Sequence, residues 1–281
     1  MNEPSQGDVR RHPAGLLREM GRHADRRLSQ SFLCEPAIAE AMVRAADLSP
    51  SDTVLEIGPG LGILTRPLVQ SGAQVICIEL DDALVEQLAR SLSSPPNLRV
   101  IHDDALRVDL AQIVEEPFIV VASLPYHVGT PLLFRLLFER PRPIRVVAMI
   151  QQEVAERLAP RAGISTFLGT VFGLVAEVRI VRRVSAGAFF PVPKVQSAII
   201  RLDVRSAPLA GVGDVSHVTE FVRAGFTQPR QQLHNSLARG LAIPPDEARR
   251  RIQDAGIDPT RRAGSLAISE WIQLAAAFEP S

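Results

Sequence analysis

The chain has 281 residues, 46% of them hydrophobic, and a formal net charge of zero. That is enough for a full core and two domains, and no apolar run approaches the ~18 residues of a membrane span. Cys34 and Cys77 are the only two cysteines and have no metal-ligand spacing, which argues against a disulfide scaffold or structural zinc. No signal-peptide core is read, so a reducing, cytoplasmic setting without a bound metal is expected. The zero charge is a cancellation. Residues 81–116 hold eight acids and three bases, 157–183 hold five Arg against Glu177, and 223–262 hold eight Arg against four acids. A local phosphate-binding face is therefore compatible with the neutral total.

Residues 1–25 are polar and unpatterned and read as a mobile extension. Helical spacing begins at Pro36–Ala46. Strands and helices then alternate: strand 53–57, helix 63–71, strand 74–79, helix 82–92, strand 98–101, strand 118–122, helix 131–138, strand 145–150 and helix 152–158. Such alternation predicts an α/β fold, a parallel sheet with helices on both faces. Two β-rich runs, 178–184 and 197–204, flank Phe189-Phe190-Pro191-Val192-Pro193 and predict an antiparallel pair that closes the sheet. Composition shifts to Ser, Ala, Pro and Gly over 206–214, a linker. Helices are predicted beyond it at 218–226, at 245–255, and in a last segment capped by Ser269, with Trp271, Leu274, Ala275 and Phe278 on one face.

Four strand ends carry apt polar groups. Glu56-Ile57-Gly58-Pro59-Gly60-Leu61-Gly62 joins strand to helix, with glycines that let the backbone lie against a ligand. Its spacing is poor for a pyrophosphate, because Ile63 and Pro59 depart from the dinucleotide fingerprint. Glu79 ends the second strand, 21 residues after Gly58, where a carboxylate can hold two ribose hydroxyls. Asp104 follows the third strand and can accept from an adenine amine beside Ala105. Ser123-Leu124-Pro125-Tyr126 ends the fourth with a side-chain acceptor, a rigid carbonyl and a flat ring, groups suited to a planar base and its exocyclic amine.

These motifs resemble the ribosomal RNA adenine dimethyltransferase family. Ser29-Gln30-Ser31-Phe32-Leu33 is similar to G-Q-N-F-L; Glu56–Gly60 matches E-I-G-P-G, Ile78–Asp81 matches I-E-L-D, and Asp104-Ala105 matches D-A. Ser123–Tyr126 resembles N-L-P-Y, Gln151–Val154 resembles Q-K-E-V, and Phe190–Ser197 resembles F-x-P-P-K-V-D-S. The likeness runs collinearly over about 26–278, through Gln228–Leu237 and Gly256–Pro259.

The resemblance implies a Rossmann-like methyltransferase domain at 26–206 and a small all-α, rRNA-binding domain at 215–281. It implies S-adenosyl-L-methionine held around Ser31, Leu33, Gly58, Gly60, Glu79, Asp104 and Ser123. It also implies methylation of adenine N6 in small-subunit rRNA; with no coiled coil or exposed apolar stripe in the sequence, a monomer is expected. Ser123 Oγ and the Pro125 carbonyl would accept the amine N–H bonds, with Tyr126 stacking on the base and Phe189 or Phe190 as a second clamp. Binding of RNA would lean on Arg179, Arg182, Arg183, Arg223, Arg230 and Arg239. Ser123 stands where the family has Asn, and Gln228–Gln232 carries one charge where three are usual. Two alternatives remain open: a large-subunit enzyme of the Erm branch, and an rRNA-binding assembly factor whose catalysis has decayed. A nicotinamide oxidoreductase would leave Ser123–Tyr126 unexplained.

Overall fold

A computed structural model of the protein describes residues 12–25, 30–209 and 211–278. Residues 1–11 of the expected extension, and the Arg26–Ser29 start of the first motif, lie outside the described residues. Within the stretch expected to be mobile, Pro13–Glu19 is helix α1. The side chain of His12 caps it by accepting from Ala14 N at 3.3 Å, and Leu17 packs against Phe32 and Leu84.

Strands β1 (Phe32–Leu33), β2 (Thr53–Ile57), β3 (Gln74–Glu79), β4 (Leu98–His102), β5 (Ile119–Ser123) and β6 (Arg145–Gln151) alternate with helices α2 (Pro36–Ala46), α3 (Thr65–Gln70), α4 (Asp82–Leu92) and α5 (Gly129–Phe138). Next come α6 (Gln152–Leu158), α7 (Phe167–Val175), β7 (Ala176–Val184), β8 (Phe189–Phe190) and β9 (Ser197–Val204). One seven-stranded sheet has the order β4-β3-β2-β5-β6-β9-β7. Each pair from β4 through β6 is parallel, while β9 runs antiparallel to β6. The two-residue strands β1 and β8 form a separate antiparallel ladder, Phe32 opposite Phe190 and Leu33 opposite Phe189.

Sheet position explains the sequence patterns. β5 and β6 are buried almost throughout, and their continuous apolar runs suit strands covered on both faces. β4, at the edge, is more exposed. Local chemistry sets the helix ends: Asp81 caps α4 by accepting from Ala83 N, and α2 begins at Pro36. The core joins Met42 of α2 to Val75, Val121, Val147 and Ile199 from the sheet.

A buried carboxyl interrupts this core. Glu56 is 1% exposed on β2, opposite Cys77 of β3, whose thiol donates to Glu56 Oε2 at 3.3 Å. Burial pushes the Glu56 carboxyl up to about 8, against partial relief from Thr65 and Cys77.

The described residues divide into two compact units: those up to Ala155 together with Arg179–Val204, and Glu156–Val178 together with the segment from Arg205. Residues 156–178, expected with the sheet domain, thus cluster with the helices. The second unit adds α8 (Val215–Gly225), α9 (Leu233–Leu241), α10 (Pro245–Asp254) and α11 (Ile268–Ala277). Trp271, Leu274, Ala275 and Phe278 are all buried there, and Trp271 stacks on Phe226 with centroids 5.5 Å apart. The cap of α11 differs from the expected Ser269. Ala267 occupies the N-cap, and Glu270 reaches back to accept from Ala267 N at 2.7 Å. Helices α8 and α9 approach at Gly240, where a Cβ would lie 2.5 Å from the Ala224 backbone. No helix among the described residues is long and apolar enough to cross a membrane.

Backbone cannot yield as a side chain can, so Gly240→Ala is expected to destabilise the helical unit by about 2 kcal/mol, read in denaturant from the fluorescence of Trp271. The raised Glu56 carboxyl gives a second expectation. Between its ordinary value of 4.5 and about 8 the folded chain keeps a proton that the unfolded chain releases. Stability therefore falls as pH rises through that window. Glu56→Gln should flatten the decline, measured as Tm at pH values on either side of the window.

Candidate active site

Parallel strands deliver their carboxyl ends to one edge, and ligands of open α/β sheets bind outside that edge where strand order reverses. Here the reversal lies between β2 and β5. A cavity of about 280 Å³ opens there, within the first unit. Ser31, Leu33, Gly58, Gly60, Glu79, Asp104, Ser123, Pro125, Tyr126 and Phe189 all line it.

The glycine loop leaves β2 with Gly58 at φ +68° and Gly60 at φ +56°, left-handed conformations that favour glycine. A Cβ on Gly58 would meet nothing within 4 Å, so the loop presents open backbone to the cavity. Glu79, at the end of β3, holds the loop from below. Its Oε2 accepts from Gly60 N at 3.0 Å, and its Oε1 accepts from Leu80 N at 2.9 Å and Asp81 N at 3.0 Å. Burial raises the Glu79 carboxyl, and the three backbone bonds oppose that rise. Oε2 thereby retains an acceptor position for a ligand hydroxyl.

Asp104, expected to accept from an adenine amine, lines the cavity and also caps a turn. Its Oδ1 caps the following turn by accepting from Leu106 N at 2.9 Å, and its Oδ2 lies 3.5 Å from Arg107 Nε. The loop is fastened from behind by Arg135 of α5, which donates to the carbonyls of Ala105 and Val108.

At the end of β5, the half-buried Ser123 faces the same cavity. The Pro125 carbonyl, expected to accept from a substrate amine, is instead used by the chain. It accepts from Val128 N at 3.2 Å and Gly129 N at 3.0 Å at the start of α5, which fills both lone pairs. The Leu124 carbonyl takes none of that turn's N–H groups. Tyr126 is half-buried, with its phenol oxygen 2.6 Å from Ser197 Oγ. Of the two candidate clamps, Phe189 lines the cavity and belongs to the core cluster, whereas Phe190 packs edge-on to His12 at 5.1 Å.

Ser31 donates to the Pro191 carbonyl at 2.7 Å, tying the two sides of the β1–β8 ladder. Sequence reasoning gave no role to Asp81. Besides capping α4, it pairs with Arg22 at 2.8 Å and accepts from Gln30 at 3.2 Å, which fastens the segment after α1 beside the cavity. Its only signal was its place in Ile78–Asp81. None of the six arginines expected to meet RNA lines the cavity, and all six are exposed. Period-two alternation puts Arg179 and Arg183 on one face of β7 and Arg182 on the other. On α8, Arg223 pairs with Glu220 at 3.3 Å and covers the Phe167 ring at 4.9 Å. Among the described residues, no group of His, Cys, Asp and Glu is placed to hold a metal.

The chain is similar to proteins named "Ribosomal RNA small subunit methyltransferase A". That of Dehalococcoides mccartyi is 37% identical over 250 residues, 88% of this chain and 86% of the relative. That of Geobacillus thermodenitrificans is 38% identical over 280 residues, 94% of each chain. Among solved structures, the 23S rRNA methyltransferase ErmE superposes with a TM-score of 0.71 at 29% identity, covering 88% of this chain and 98% of that one. A dimethyladenosine transferase from Plasmodium falciparum superposes with a TM-score of 0.75 at 25% identity, covering 86% of this chain and 95% of that one. The family model described as ribosomal RNA adenine dimethylase matches residues 21–279, and the chain belongs to that family.

Proposed function

We propose that this protein transfers methyl groups from S-adenosyl-L-methionine to N6 of adenines, two adjacent ones each dimethylated, in a small-subunit rRNA hairpin. The observation that carries this reading is the convergence of a glycine loop, a ribose-type carboxylate, an adenine-type acceptor and Ser123–Tyr126 on one cavity. Membership of the family supports it, as does the likeness over most of the chain to relatives named for the small subunit. The likeness to ErmE keeps the large-subunit reading as an alternative to test.

The cavity suits the cofactor. Gly58 leaves room along the loop, the free acceptor position of Glu79 fits a ribose hydroxyl, and Asp104 Oδ2 fits an adenine amine. When bound, S-adenosylmethionine supplies a methyl group activated by a sulfonium. The chain's own task is to hold a weak nucleophile, since the exocyclic amine of adenine delocalises its lone pair into the ring. Ser123 Oγ and the Leu124 carbonyl accept the two N–H bonds, which favours a pyramidal nitrogen with its lone pair available. Tyr126 stacks on the base and Phe189 closes the opposite side. Rate then comes from positioning and from acceptors already in place, without a base of unusual pKa. After transfer, the surplus proton on nitrogen leaves along the hydrogen bond to Ser123 Oγ and into solvent. A target adenine reaches this depth only unstacked from its neighbours. The exposed arginines of each unit offer phosphate contacts to RNA.

Purified protein with labelled S-adenosylmethionine should place label, recovered as dimethyladenosine, in small subunits from cells lacking that modification. Label confined to large subunits would move the protein to the Erm branch, and no label in either would leave an assembly factor. Glu79→Ala should weaken binding of S-adenosylhomocysteine by about tenfold to a hundredfold in calorimetry, since a charged acceptor is lost. Ser123→Ala should lower kcat by about tenfold while that affinity changes little, measured by single-turnover methyl transfer.

A further inference from the structure

Tyr126 sits in the turn after β5, and a half-buried ring there can rotate about χ2 and swing about χ1. The phenol oxygen lies on the χ2 axis but farthest from the χ1 hinge, so a hydrogen bond at that point leaves ring flips free and restrains the swing of the whole ring. Ser197 makes it, at 2.6 Å across 71 residues of sequence. The partner is itself immobile. Ser197 is 0% exposed, opens β9 opposite Gln151 of β6, and follows Gln196, whose carbonyl accepts from Gln152 N at 2.9 Å. A hydroxyl buried this completely needs a hydrogen-bond partner, and the tyrosine is the one it has.

We infer that Ser197 is a positioning residue for methyl transfer, holding the Tyr126 ring in one χ1 position so that the base enters against a surface already in place. This rests on the proposed stacking role of Tyr126. Ser197 touches neither base nor cofactor; it acts through the ring. The link also explains why the segment from Phe189 to Ser197 bears on the reaction at both ends. Phe189 lines the cavity, and Ser197 aligns the ring that faces it.

Tyr126 is the chain's single tyrosine, so uniformly labelled tyrosine gives one signal set in the full-length protein. In Ser197→Ala the ring should sample more than one χ1 position, read as averaged Hα–Hβ couplings, and kcat should fall by about three- to tenfold, with affinity for S-adenosylhomocysteine unchanged within about twofold. Tyr126→Phe, which keeps Ser197 intact, should show the same loss, and the double variant no more than either alone. Ser197→Thr, which restores the hydroxyl, should recover the rate. Unchanged ring motion and rate in Ser197→Ala would overturn the inference, as would losses that multiply in the double variant. If Ser197→Ala fails to fold, Tyr126→Phe decides alone, and an undiminished rate there overturns it. Tyr126→Ala tests the underlying reading: a wild-type rate would remove the stacking role itself, whereas a lost rate with normal Ser197→Ala would remove only the alignment.

Discussion

The in-register pairing of parallel strands is the constraint from which the site follows. Ile57 lies opposite Ile78, Glu79 opposite His102, and Ser123 opposite Met149. A slip of one residue in any of these pairs would turn each side chain to the other face of the sheet. The polar group at each strand end would then leave the cavity while the strand remained a strand. Burial on both faces makes such slips costly, so the apolar runs that build the core also fix where the acceptors stand.

Glu79 shows how closely fold and site share atoms. Its three backbone bonds hold the glycine loop and the start of the turn into α4, and the same carboxylate keeps an acceptor position at the cavity. The loop's conformation and the polarity of the cavity beside Glu79 therefore cannot be varied independently. Arg135 has a comparable position behind Asp104, where it gathers two carbonyls of a loop that has little packing of its own.

Sheet and helices were legible because their periods are strong. The bounds of α2, β2, β3, α4 and β9 coincide with those read from spacing. What escaped has specific causes. α7 is apolar on nearly all sides and shows no amphipathic period. The ladder of β1 and β8 is two residues long, too short to alternate. α1 is a short helix capped by a histidine, an uncommon capping residue. Ser269 looks like a cap, yet Glu270 reaching back moves the boundary to Ala267. All ten residues assigned to cofactor and chemistry share one cavity, but the state of the Pro125 carbonyl depends on where α5 begins. The bond from Tyr126 to Ser197 joins residues 71 apart, and no local pattern announces it.

The β1–β8 ladder joins chain segments about 160 residues apart, as the Ser31 bond to Pro191 records. Contacts of such separation form only after the long intervening loop has been ordered. During synthesis, the glycine loop and the first five strands emerge from the ribosome well before Phe189. A nascent chain thus holds a sheet with an unfinished pocket, and only the arrival of the Phe-Pro segment completes the wall. Completion of the cavity is in this sense a late product of translation, reached after most of the sheet domain has been made.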